Sequence, residues 1–410
     1  MGVKFRILML TDFCKPTIGG VEHHVFSLSK KLVENGHQVI IGTVRQDGMA
    51  PIIEHDGICI HGLESLFQRA PLIYPNPSRK YHPPFQDILL TKKLGRLVEN
   101  FQPDMIHCHG WVTFSYLPLK FGIPIICTLH HYGFICPKQD LFFENESICE
   151  QPSTLACYRC CAKNYGFLKS AFMVNLVKIS KRYLSKVDRF VAVSKFVKKV
   201  YIEHLKIPGS RIAVIPNFYE SENVQNLNCE ILPSDFILYV GQLAPHKGVD
   251  LLLKAYRSSG VELPLVMLGS KHYAYDYARF DDGRRIIVKE NVSRSLVLNA
   301  FERCRFVVAP SIWPEPCPTT ILEAMSFGKA VIASEAGGIP EIVKHGETGY
   351  LLDPRNIRDF ARYLKLLSDD LDLPEKMGKS GKVRFLECFT ADKVVEDTEN
   401  LYDKVLEETK

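Results

Sequence analysis

The hydrophobic pattern of residues 5–44 changes twice. Residues 5–11 (FRILMLT) form a compact apolar run, which predicts a buried strand, and a turn-rich loop follows it up to Gly19 and Gly20. Residues 38–44 (QVIIGTV) form a second apolar run, which predicts the next strand. Between the loop and that run, apolar side chains recur at helical spacing, at Val21, Val25, Leu28 and Leu32. Strand, loop, helix and strand in this order predict a parallel βαβ unit.

Short apolar runs of the same kind continue to about residue 216. They lie at residues 105–109, 123–130 and 189–194, with helical or loop segments between them. From there to about residue 234 the pattern dissolves into Pro, Asn and Ser, and residues 236–243 then begin a new series of strands and helices. We therefore predict an α/β fold with two Rossmann-like, doubly wound parallel-sheet domains, at residues 1–215 and 216–390.

Residues 391–410 predict one further helix. Its apolar positions have near-helical spacing, so we expect it to pack back on the body of the protein. These positions are Val394, Val395, Leu401 and Val405. The carboxyl ends of the two sets of strands are predicted to face a cleft, because open parallel sheets bind ligands at that edge.

Composition narrows the class of protein. With 410 residues, of which 46% are hydrophobic, the chain is long enough for two domains with cores of their own. The apolar part of the N-terminal stretch is too short for a secretion signal, and no apolar run approaches the roughly 18 residues that span a bilayer, so we expect a cytoplasmic protein. A net charge of +5 is too small for a dedicated nucleic-acid binder.

Two loops contain residues suited to phosphate binding. Gly19 and Gly20 lie between the first strand and the first helix, where glycines let a backbone approach a phosphate, although a plain tight turn explains a glycine pair as well. Lys247 has the equivalent place in the second domain, between the strand that begins at residue 236 and the next helix. Its ammonium group could anchor a diphosphate, and a solvated loop lysine is the alternative.

Two glutamates mark the ends of one loop-to-helix junction. Pro316 and Pro318 forbid a regular helix before Thr319. Glu315 is therefore predicted on a loop, and Glu323 one turn into a helix. A helix start of this kind exposes backbone N–H groups between the two carboxylates.

These residues give the chain a resemblance to a known family. In order and spacing it resembles the retaining GT-B glycosyltransferases of family 4 (glycosyl transferases group 1) over nearly its whole length, and the matches in the second domain are the more specific. The matching segments are Gly19 and Gly20 with Glu22, the TLH that ends at His130, VAVSKF at 191–196, G-x-L…HKG with Lys247, the E-x7-E pair Glu315 and Glu323 with EAMSFGKAVIAS, GGIPEIV at 337–343 and GETGYLLDP at 346–354.

The resemblance implies a role for each of these residues. It implies that Glu323 accepts hydrogen bonds from ribose hydroxyls, which suits an ionised carboxylate. It implies that His130, Lys247 and Glu315 act in catalysis: Lys247 at the diphosphate, Glu315 at hydroxyls of the transferred sugar, and His130 facing that sugar. Further donor contacts are implied for Gly19, Gly20, Gln242, Cys317, Thr319 and Thr320. Acceptor-side positions are implied for His109 and His131, although His109 could instead be simply buried.

The resemblance also implies an activity. It is the transfer of a hexose from a nucleotide-diphosphate sugar to a hydroxyl of a glycan or lipid-linked acceptor, with retention of configuration by front-side attack. Residues 1–215 would then form the acceptor side, and residues 216–390 would bind the nucleotide sugar. No metal cofactor is expected for catalysis, because the D-x-D pair Asp370 and Asp372 falls between two predicted helices, where capping is the simpler role.

Two positions depart from the family pattern. Gln242 stands where the family usually has an arginine, which removes a permanent charge from the phosphate site. Pro318 stands where glycine is common, and it has no N–H to offer the sugar. These departures keep two other interpretations open: a sugar-nucleotide binder without turnover, and another GT-B activity such as an epimerase.

Five of the 13 cysteines cluster at residues 136–161. Cys136, Cys149, Cys157 and either Cys160 or Cys161 could close a tetrahedral structural zinc site that ties down a loop. A disulfide pair and a set of unligated thiols are the alternatives, because only one C-x2-C is present.

A stretch that is both basic and apolar covers residues 169–190. It could rest on an anionic membrane and bring the enzyme to a lipid-linked acceptor, which would make the protein peripheral at the inner face of that membrane. The alternative is a core helix with a solvated basic face. The basic residues are Lys169, Lys178, Lys181, Arg182 and Lys186.

Overall fold

The computed structural model describes residues 4–14, 19–69, 82–144, 146–220, 232–271 and 275–409. The chain folds into two compact units: unit 1 comprises residues 1–216 and 391–410, and unit 2 comprises residues 217–390. Each unit is built on an open, mainly parallel sheet with helices, which confirms the predicted α/β fold class. Most of the Pro- and Asn-rich break predicted near residue 216 lies outside the described residues.

Unit 1 contains ten described strands. They are β1 (Arg6–Thr11), β2 (Gln38–Val44), β3 (Ile52–His55), β4 (Ile58–Leu63), β5 (Met105–His109), β6 (Ile125–Leu129), β7 (Phe142–Phe143), β8 (Ser147–Ile148), β9 (Arg189–Ala192) and β10 (Ile212–Val214). Eight of them form one sheet in the order β10-β9-β6-β5-β1-β2-β4-β3, with β3 antiparallel to β4, and β7 and β8 form a separate hairpin. The helices are α1 (Gly20–Glu34), α2 (Ile88–Phe101), α3 (Thr113–Tyr116), α4 (Thr154–Tyr165), α5 (Phe167–Ser180) and α6 (Lys195–Leu205).

The strand order of unit 1 reverses between β1 and β5. From β1 the chain builds the sheet outward through β2, and from β5 it builds outward through β6 in the opposite direction. Strands β1, β5 and β6 are buried along almost their whole length, as expected for parallel strands covered on both faces. Their register aligns Thr11, His109 and Thr128 at the carboxyl edge. A reversal of this kind leaves a crevice at that edge, where parallel sheets bind ligands.

Unit 2 has a second open sheet, which also contains a reversal of strand order. Its strands are β11 (Ile237–Val240), β12 (Leu265–Gly269), β13 (Ile286–Glu290), β14 (Phe306–Ala309), β15 (Ala330–Ser334) and β16 (Gly349–Leu352). Its helices are α7 (Val249–Ser259), α8 (Arg294–Arg303), α9 (Thr319–Ser326), α10 (Ile339–Ile342), α11 (Ile357–Asp369) and α12 (Asp372–Cys388). The strands are all parallel, in the order β13-β12-β11-β14-β15-β16, so the reversal lies between β11 and β14.

The core of unit 2 lies between its sheet and the helices that pack on it. Ile237 of β11, Met267 of β12, Leu252 of α7 and Phe360 of α11 belong to one buried apolar cluster. All four side chains are fully buried. This packing holds the carboxyl edge of the central strands in a fixed position, which is the requirement for placing side chains precisely on the loops that follow.

After unit 2 the chain returns to unit 1 as helix α13 (Ala391–Thr409). The Tyr402 hydroxyl lies 2.6 Å from Nδ1 of His107 on β5, and both side chains are buried. Glu399 Oε1 lies 2.8 Å from Nε2 of His37, just after α1. The apolar positions noted in the sequence of this helix, Val394, Val395, Leu401 and Val405, are also buried. Unit 2 is therefore an insertion in the sequence of unit 1.

Removing the Tyr402 hydroxyl tests how strongly α13 is attached to the sheet. Tyr402→Phe is expected to lower the free energy of unfolding of unit 1 by about 1–2 kcal/mol, because it leaves a buried ring nitrogen of His107 without its partner. Urea denaturation followed by circular dichroism measures the change. The matched control is Tyr363→Phe, since the Tyr363 hydroxyl accepts an exposed hydrogen bond from Arg362. Equal stability of Tyr402→Phe and wild type would contradict this reading of α13.

Helix α13 is also the longest of the described helices, with 19 residues. It carries charged side chains at its exposed positions, among them Asp392, Glu396 and Asp403. Across the described ranges, no helix combines the length and the apolarity that a membrane span requires.

Candidate active site

The strand-order reversal of unit 2 brings two loops together at the carboxyl edge of the sheet. The loop after β11 contains the 3-10 turn Pro245–Lys247 and ends at Gly248, and the loop after β14 contains Glu315. Gly248 has a φ of +75°, and a Cβ atom there would lie 1.8 Å from the carbonyl oxygen of Pro310. Only glycine fits where the loops touch, and this close approach sets Lys247 opposite Glu315.

Lys247 and Glu315 form an ion pair at this point. Lys247 Nζ donates to Glu315 Oε1 at 2.6 Å. The same carboxylate oxygen accepts a hydrogen bond from Ser311 Oγ at 2.6 Å, and Lys247 Nζ lies 5.0 Å from the centre of the Trp313 ring. Glu315 is only 6% exposed, so these contacts replace water around its carboxylate.

The pKa of Glu315 results from opposing effects. Burial raises this pKa, whereas the charge of Lys247 and the hydrogen bonds from Lys247, Ser311 and Trp313 lower it, and the net result is a pKa below its ordinary value. Glu315 is therefore ionised at neutral pH. A charged acceptor next to a charged donor is suited to a ligand that carries hydroxyl groups beside phosphate oxygens.

Glu323 lies one turn into α9, as predicted, and has a cation of its own. Arg294, the first residue of α8, donates from Nη1 to Glu323 Oε2 at 2.6 Å and from Nη2 to the Tyr219 hydroxyl at 3.2 Å. Sequence reasoning missed Arg294. Its place just after β13, at the carboxyl edge of the same sheet, is the signal that could have identified it.

The start of α9 presents backbone donors between the two carboxylates. Pro318 occupies the N-cap position and no side chain caps the helix. The N–H groups of Thr319 and Thr320 therefore have no partner from the preceding turn of helix, and both residues are half-buried. Cys317 is buried, and its carbonyl oxygen accepts from Asn217 Nδ2 at 2.9 Å. A helix start of this kind favours negatively charged ligand atoms.

A third loop fixes the backbone of Glu315. Gly338 N donates to the carbonyl oxygen of Glu315 at 2.7 Å. Its neighbour Gly337 has a φ of +61°, and a Cβ atom there would lie 2.3 Å from that oxygen and 2.6 Å from the Glu315 nitrogen. Glycine at position 337 therefore lets the loop after β15 approach the catalytic candidate closely.

Two further features noted in the sequence, Gln242 and the D-x-D pair, lie in unit 2. Gln242 follows β11 and is half-buried, and its carbonyl oxygen accepts from the Tyr239 hydroxyl at 2.7 Å. Asp370 Oδ1 accepts from the backbone nitrogens of Asp372 and Leu373, at 2.9 Å each, where α11 ends and α12 begins. The D-x-D sequence thus caps a helix, as predicted.

In unit 1, Asp12 joins the two loops at the strand-order reversal between β1 and β5. Its carboxylate accepts from Trp111 N at 3.0 Å and from Val112 N at 2.6 Å. Burial raises the pKa of Asp12 to about 7, although these two hydrogen bonds lower it; the nearby charge of Glu22 raises it further. Asp12 therefore changes its charge near neutral pH. The sequence interpretation did not single it out.

Four histidine rings gather at the same edge of unit 1. His109 Nδ1 lies 2.9 Å from His130 Nε2, so the two histidines named from the sequence are in direct contact. The ring centres of His107 and His109 are 4.3 Å apart, and those of His24 and His130 are 4.8 Å apart. Sequence reasoning missed His24 and His107. The spacing of two between His107 and His109 was a usable signal, because it puts both on one face of a strand.

Burial keeps three of these rings, His24, His107 and His109, neutral at pH 7. Burial lowers the pKa of His24 and His107 to about 3, and burial together with the neighbouring rings also holds the pKa of His109 well below its ordinary value. Each neutral imidazole has one donor and one acceptor nitrogen, so the cluster can exchange hydrogen bonds with hydroxyl groups. His131 faces its own loop: its Nδ1 accepts from Gly133 N at 3.0 Å, and burial lowers its pKa to about 4.

The glycine pair stands where α1 begins. Gly19 has an extended backbone, with a φ of −171°, and Gly20 is the first residue of the helix. A Cβ atom on Gly20 would meet no described atom within 4 Å. Neither backbone strain nor crowding among the described residues requires glycine at position 20. Close approach of a ligand to the backbone is a reason for glycine that remains.

The cysteine cluster of residues 136–161 is not drawn together as one ligand set. Cys160 Sγ accepts from Glu144 N at 3.1 Å, and Cys136 Sγ lies 3.7 Å from Asp140 Oδ1. No disulfide joins Cys136, Cys149, Cys157, Cys160 or Cys161. In the portion of the chain that the structure covers, no three His, Cys, Asp or Glu side chains are arranged to hold a metal ion. The structural zinc site stays a prediction.

Two family models match the sequence, one on each half of the chain. The model described as Glycosyltransferase Family 4 matches residues 18–223, and the model described as Glycosyl transferases group 1 matches residues 230–384. Together they cover the described loops of unit 2 between residues 241 and 338 and, in unit 1, the four histidines, but not Asp12. The residues of unit 2 at the strand-order reversal all fall within the second match.

Similar proteins and structures agree with these matches. An uncharacterised glycosyltransferase of Methanocaldococcus jannaschii is 25% identical over 97% of this chain and 98% of its own length. The phosphatidylinositol N-acetylglucosaminyltransferase GPI3 subunit of Saccharomyces cerevisiae is 24% identical over 84% of this chain and 71% of its own length.

Among solved structures, sucrose-phosphate synthase from Thermosynechococcus elongatus aligns with a TM-score of 0.73 at 19% identity, covering 98% of this chain and 99% of the other. Anabaena HepE, solved with UDP and glucose, aligns with a TM-score of 0.71 at 16% identity, covering 98% and 100%. The shared fold is GT-B.

Proposed function

Because this chain belongs to glycosyltransferase family 4, we propose that it moves a sugar from a nucleotide-diphosphate sugar to a hydroxyl of a glycan or lipid-linked acceptor. The observation that carries this proposal is the pair of buried carboxylates at the start of α9, each held by its own cation. Glu315 is paired with Lys247, and Glu323 is paired with Arg294. Such an arrangement offers separate contacts for the sugar, the diphosphate and the ribose of one donor.

In this proposal the ribose hydroxyls donate to Glu323 and the sugar hydroxyls donate to Glu315. Lys247 and the N–H groups of Thr319 and Thr320 bind the diphosphate oxygens. As the bond between the anomeric carbon and the diphosphate oxygen breaks, negative charge grows on that oxygen, and preorganised donors lower the energy of this state. The lysine is oriented before the ligand arrives, because its ammonium group is already fixed by Glu315 and stacked against Trp313.

The transfer itself needs no covalent protein intermediate. The acceptor oxygen bonds to the anomeric carbon on the face that the diphosphate leaves, and the hydroxyl proton passes to the departing phosphate oxygen, so the configuration is retained. His130 would hold a sugar hydroxyl during this step, with its ring oriented by His109. Charge on the leaving group is neutralised by Lys247 and backbone N–H groups, without a divalent cation.

The acceptor side of the proposal has its support in a relative. The GPI3 subunit of Saccharomyces cerevisiae is named as a phosphatidylinositol N-acetylglucosaminyltransferase, and phosphatidylinositol is a lipid. A lipid-linked acceptor would require this protein to work at a membrane surface. We therefore propose a cytoplasmic enzyme that contacts the membrane peripherally.

The proposal is tested by thermal unfolding with UDP, GDP, ADP and their sugar conjugates, with EDTA present. One nucleotide family is expected to raise the melting temperature by several degrees, since a ligand at 100 times its dissociation constant stabilises the native state by about 2.7 kcal/mol. Glu323→Gln should lose most of this shift, because an amide binds the ribose hydroxyls less well than a carboxylate. The matched control Glu302→Gln, an exposed position of α8, should keep it.

The same titration, combined with analysis of the reaction products, distinguishes the other interpretations. Flat curves for all three nucleotide families would overturn the donor site. A shift that appears only with magnesium would contradict the metal-free mechanism. A shift without a new glycoside on any acceptor would favour a binder without turnover, and conversion of the donor alone would favour an epimerase.

A further inference from the structure

Helix α5 exposes apolar side chains on the side that faces away from its own packing partners. Phe167 is 77% exposed, Leu168 84%, Phe172 46% and Ile179 41%. Leu168, Phe172 and Ile179 are four and seven residues apart, which places them on one stripe of the helix. We call these four residues the α5 outer face.

The opposite side of α5 is already used for packing. Met173, Val174 and Val177 are buried there. A helix of a soluble protein with one buried side normally has mainly polar residues on the other side, whereas α5 exposes Leu168, Phe172 and Ile179 there beside Asn175. The α5 outer face is therefore apolar surface that the fold of this chain does not need for its own core.

The chain segment that contains the α5 outer face carries side-chain charges of one sign. Residues 154–187 contain seven Lys and Arg residues and no Asp or Glu. Glu144, which precedes this segment, pairs with two of them, Arg159 and Lys163. Lys178 and Arg182 are exposed, on either side of Ile179 along the chain. An apolar stripe bordered by basic side chains is complementary to an anionic lipid surface, where acyl chains lie beneath phosphate groups.

The corner at which α5 begins is shaped for shallow insertion. Gly166 has a φ of +74° and ends α4, so the chain turns sharply there and presents Phe167 and Leu168 at the tip of a helical hairpin. Gly166 is exposed, and no non-neighbouring atom of the described residues lies within 4 Å of a Cβ atom built on it. An exposed aromatic and aliphatic pair next to lysines can enter the lipid interface without a change of fold.

We propose that the α5 outer face binds the surface of a bilayer that contains anionic lipid, with Phe167 and Leu168 inserted at the level of the acyl chains. The proposal deepens the proposed function, because it names the surface by which the enzyme would reach a lipid-linked acceptor. Its test measures binding to vesicles alone, so its outcome does not depend on donor binding or on turnover.

The experiment is co-sedimentation of the whole protein with vesicles of phosphatidylcholine alone and with vesicles of equal parts phosphatidylcholine and phosphatidylglycerol. Wild type is expected to bind the second kind and to release as ionic strength rises. Phe167→Ser/Leu168→Ser is expected to weaken binding by about tenfold or more, because two large apolar side chains leave the lipid interface. Lys178→Glu/Arg182→Glu should weaken it by a similar factor.

A matched double variant controls for general surface polarity. Val383→Ser/Leu386→Ser changes two apolar side chains of α12 in unit 2 that are 56% and 57% exposed, and it should bind vesicles as wild type does. Wild type that ignores the anionic vesicles, or a Phe167→Ser/Leu168→Ser variant that binds them undiminished, would overturn the proposal. So would self-association of wild type that this variant abolishes in sedimentation equilibrium, since the α5 outer face would then be covered by a second copy.

Discussion

Lys247→Met is expected to lower kcat/KM for sugar transfer by about 100- to 1,000-fold, the usual effect of removing one preorganised donor from a developing negative charge. The ammonium group of Lys247 is held 2.6 Å from Glu315 before any ligand is present. Methionine keeps the apolar stem over Trp313 and removes only the charge. Steady-state kinetics with the donor identified by thermal unfolding measures the loss, and Lys254→Met, an exposed position of α7, is the control.

The same variant separates catalysis from folding. Glu315 would be left as a buried carboxylate without its cation, which costs about 3 kcal/mol of stability. Adding Glu315→Gln removes the uncompensated charge, so the double variant should recover much of this stability. It should not recover activity, because neither the phosphate contact nor the charged acceptor for the sugar returns. Recovery of turnover in the double variant would show that the pair serves stability alone.

Gly337→Ala is expected to reduce both stability and activity, although this residue touches no ligand in the proposed site. A methyl group there would lie 2.3 Å from the carbonyl oxygen of Glu315 and 2.6 Å from its nitrogen. Both atoms belong to the backbone, so the methyl group cannot be accommodated by rotating a side chain. We expect a loss of at least about 3 kcal/mol, from the clash together with the positive φ. Glu315 must also shift, so kcat/KM should fall by about tenfold or more.

The control for this substitution isolates the clash. Gly346 has a similar φ, +77°, but a methyl group there would meet no atom of the described segments within 4 Å. Gly346→Ala should therefore lose only the about 1 kcal/mol that a left-handed conformation costs a residue with a side chain. Urea denaturation and steady-state kinetics of the two variants provide the comparison. Equal effects of the two substitutions would show that the approach of the loop after β15 to Glu315 is unimportant.

The sequence predicted the parts of the fold that depend on local pattern. The first βαβ unit and the helix at Thr319 follow from apolar spacing and from prolines, which act within a few residues along the chain. Glu315, Glu323 and Lys247 were found for the same reason, since each stands at a strand or helix end that the pattern marks. The capping role of Asp370 was likewise local.

The contacts that the sequence did not reveal are those between distant segments. Arg294 pairs with Glu323 across 29 positions, and Tyr402 contacts His107 across 295. Asp12 reaches backbone nitrogens about 100 residues away, at Trp111 and Val112. Such pairs depend on strand order and register, which periodicity does not specify. The four-histidine cluster was half found for this reason: His24 of α1, the two histidines of β5 and His130 after β6 come from three segments that become neighbours only in the folded unit.

Because unit 2 is inserted in the sequence of unit 1, the two units cannot be completed in the order in which they begin. Residues 217–390 take roughly 10–35 s to synthesise at about 5–20 residues per second. During that time the first part of unit 1 has left the ribosome, but Tyr402 and Glu399 have not yet been made. His107 and His37 therefore lack their contacts with α13. Unit 2 can therefore fold first, and a nascent unit 1 that still lacks α13 is the form that chaperones would meet.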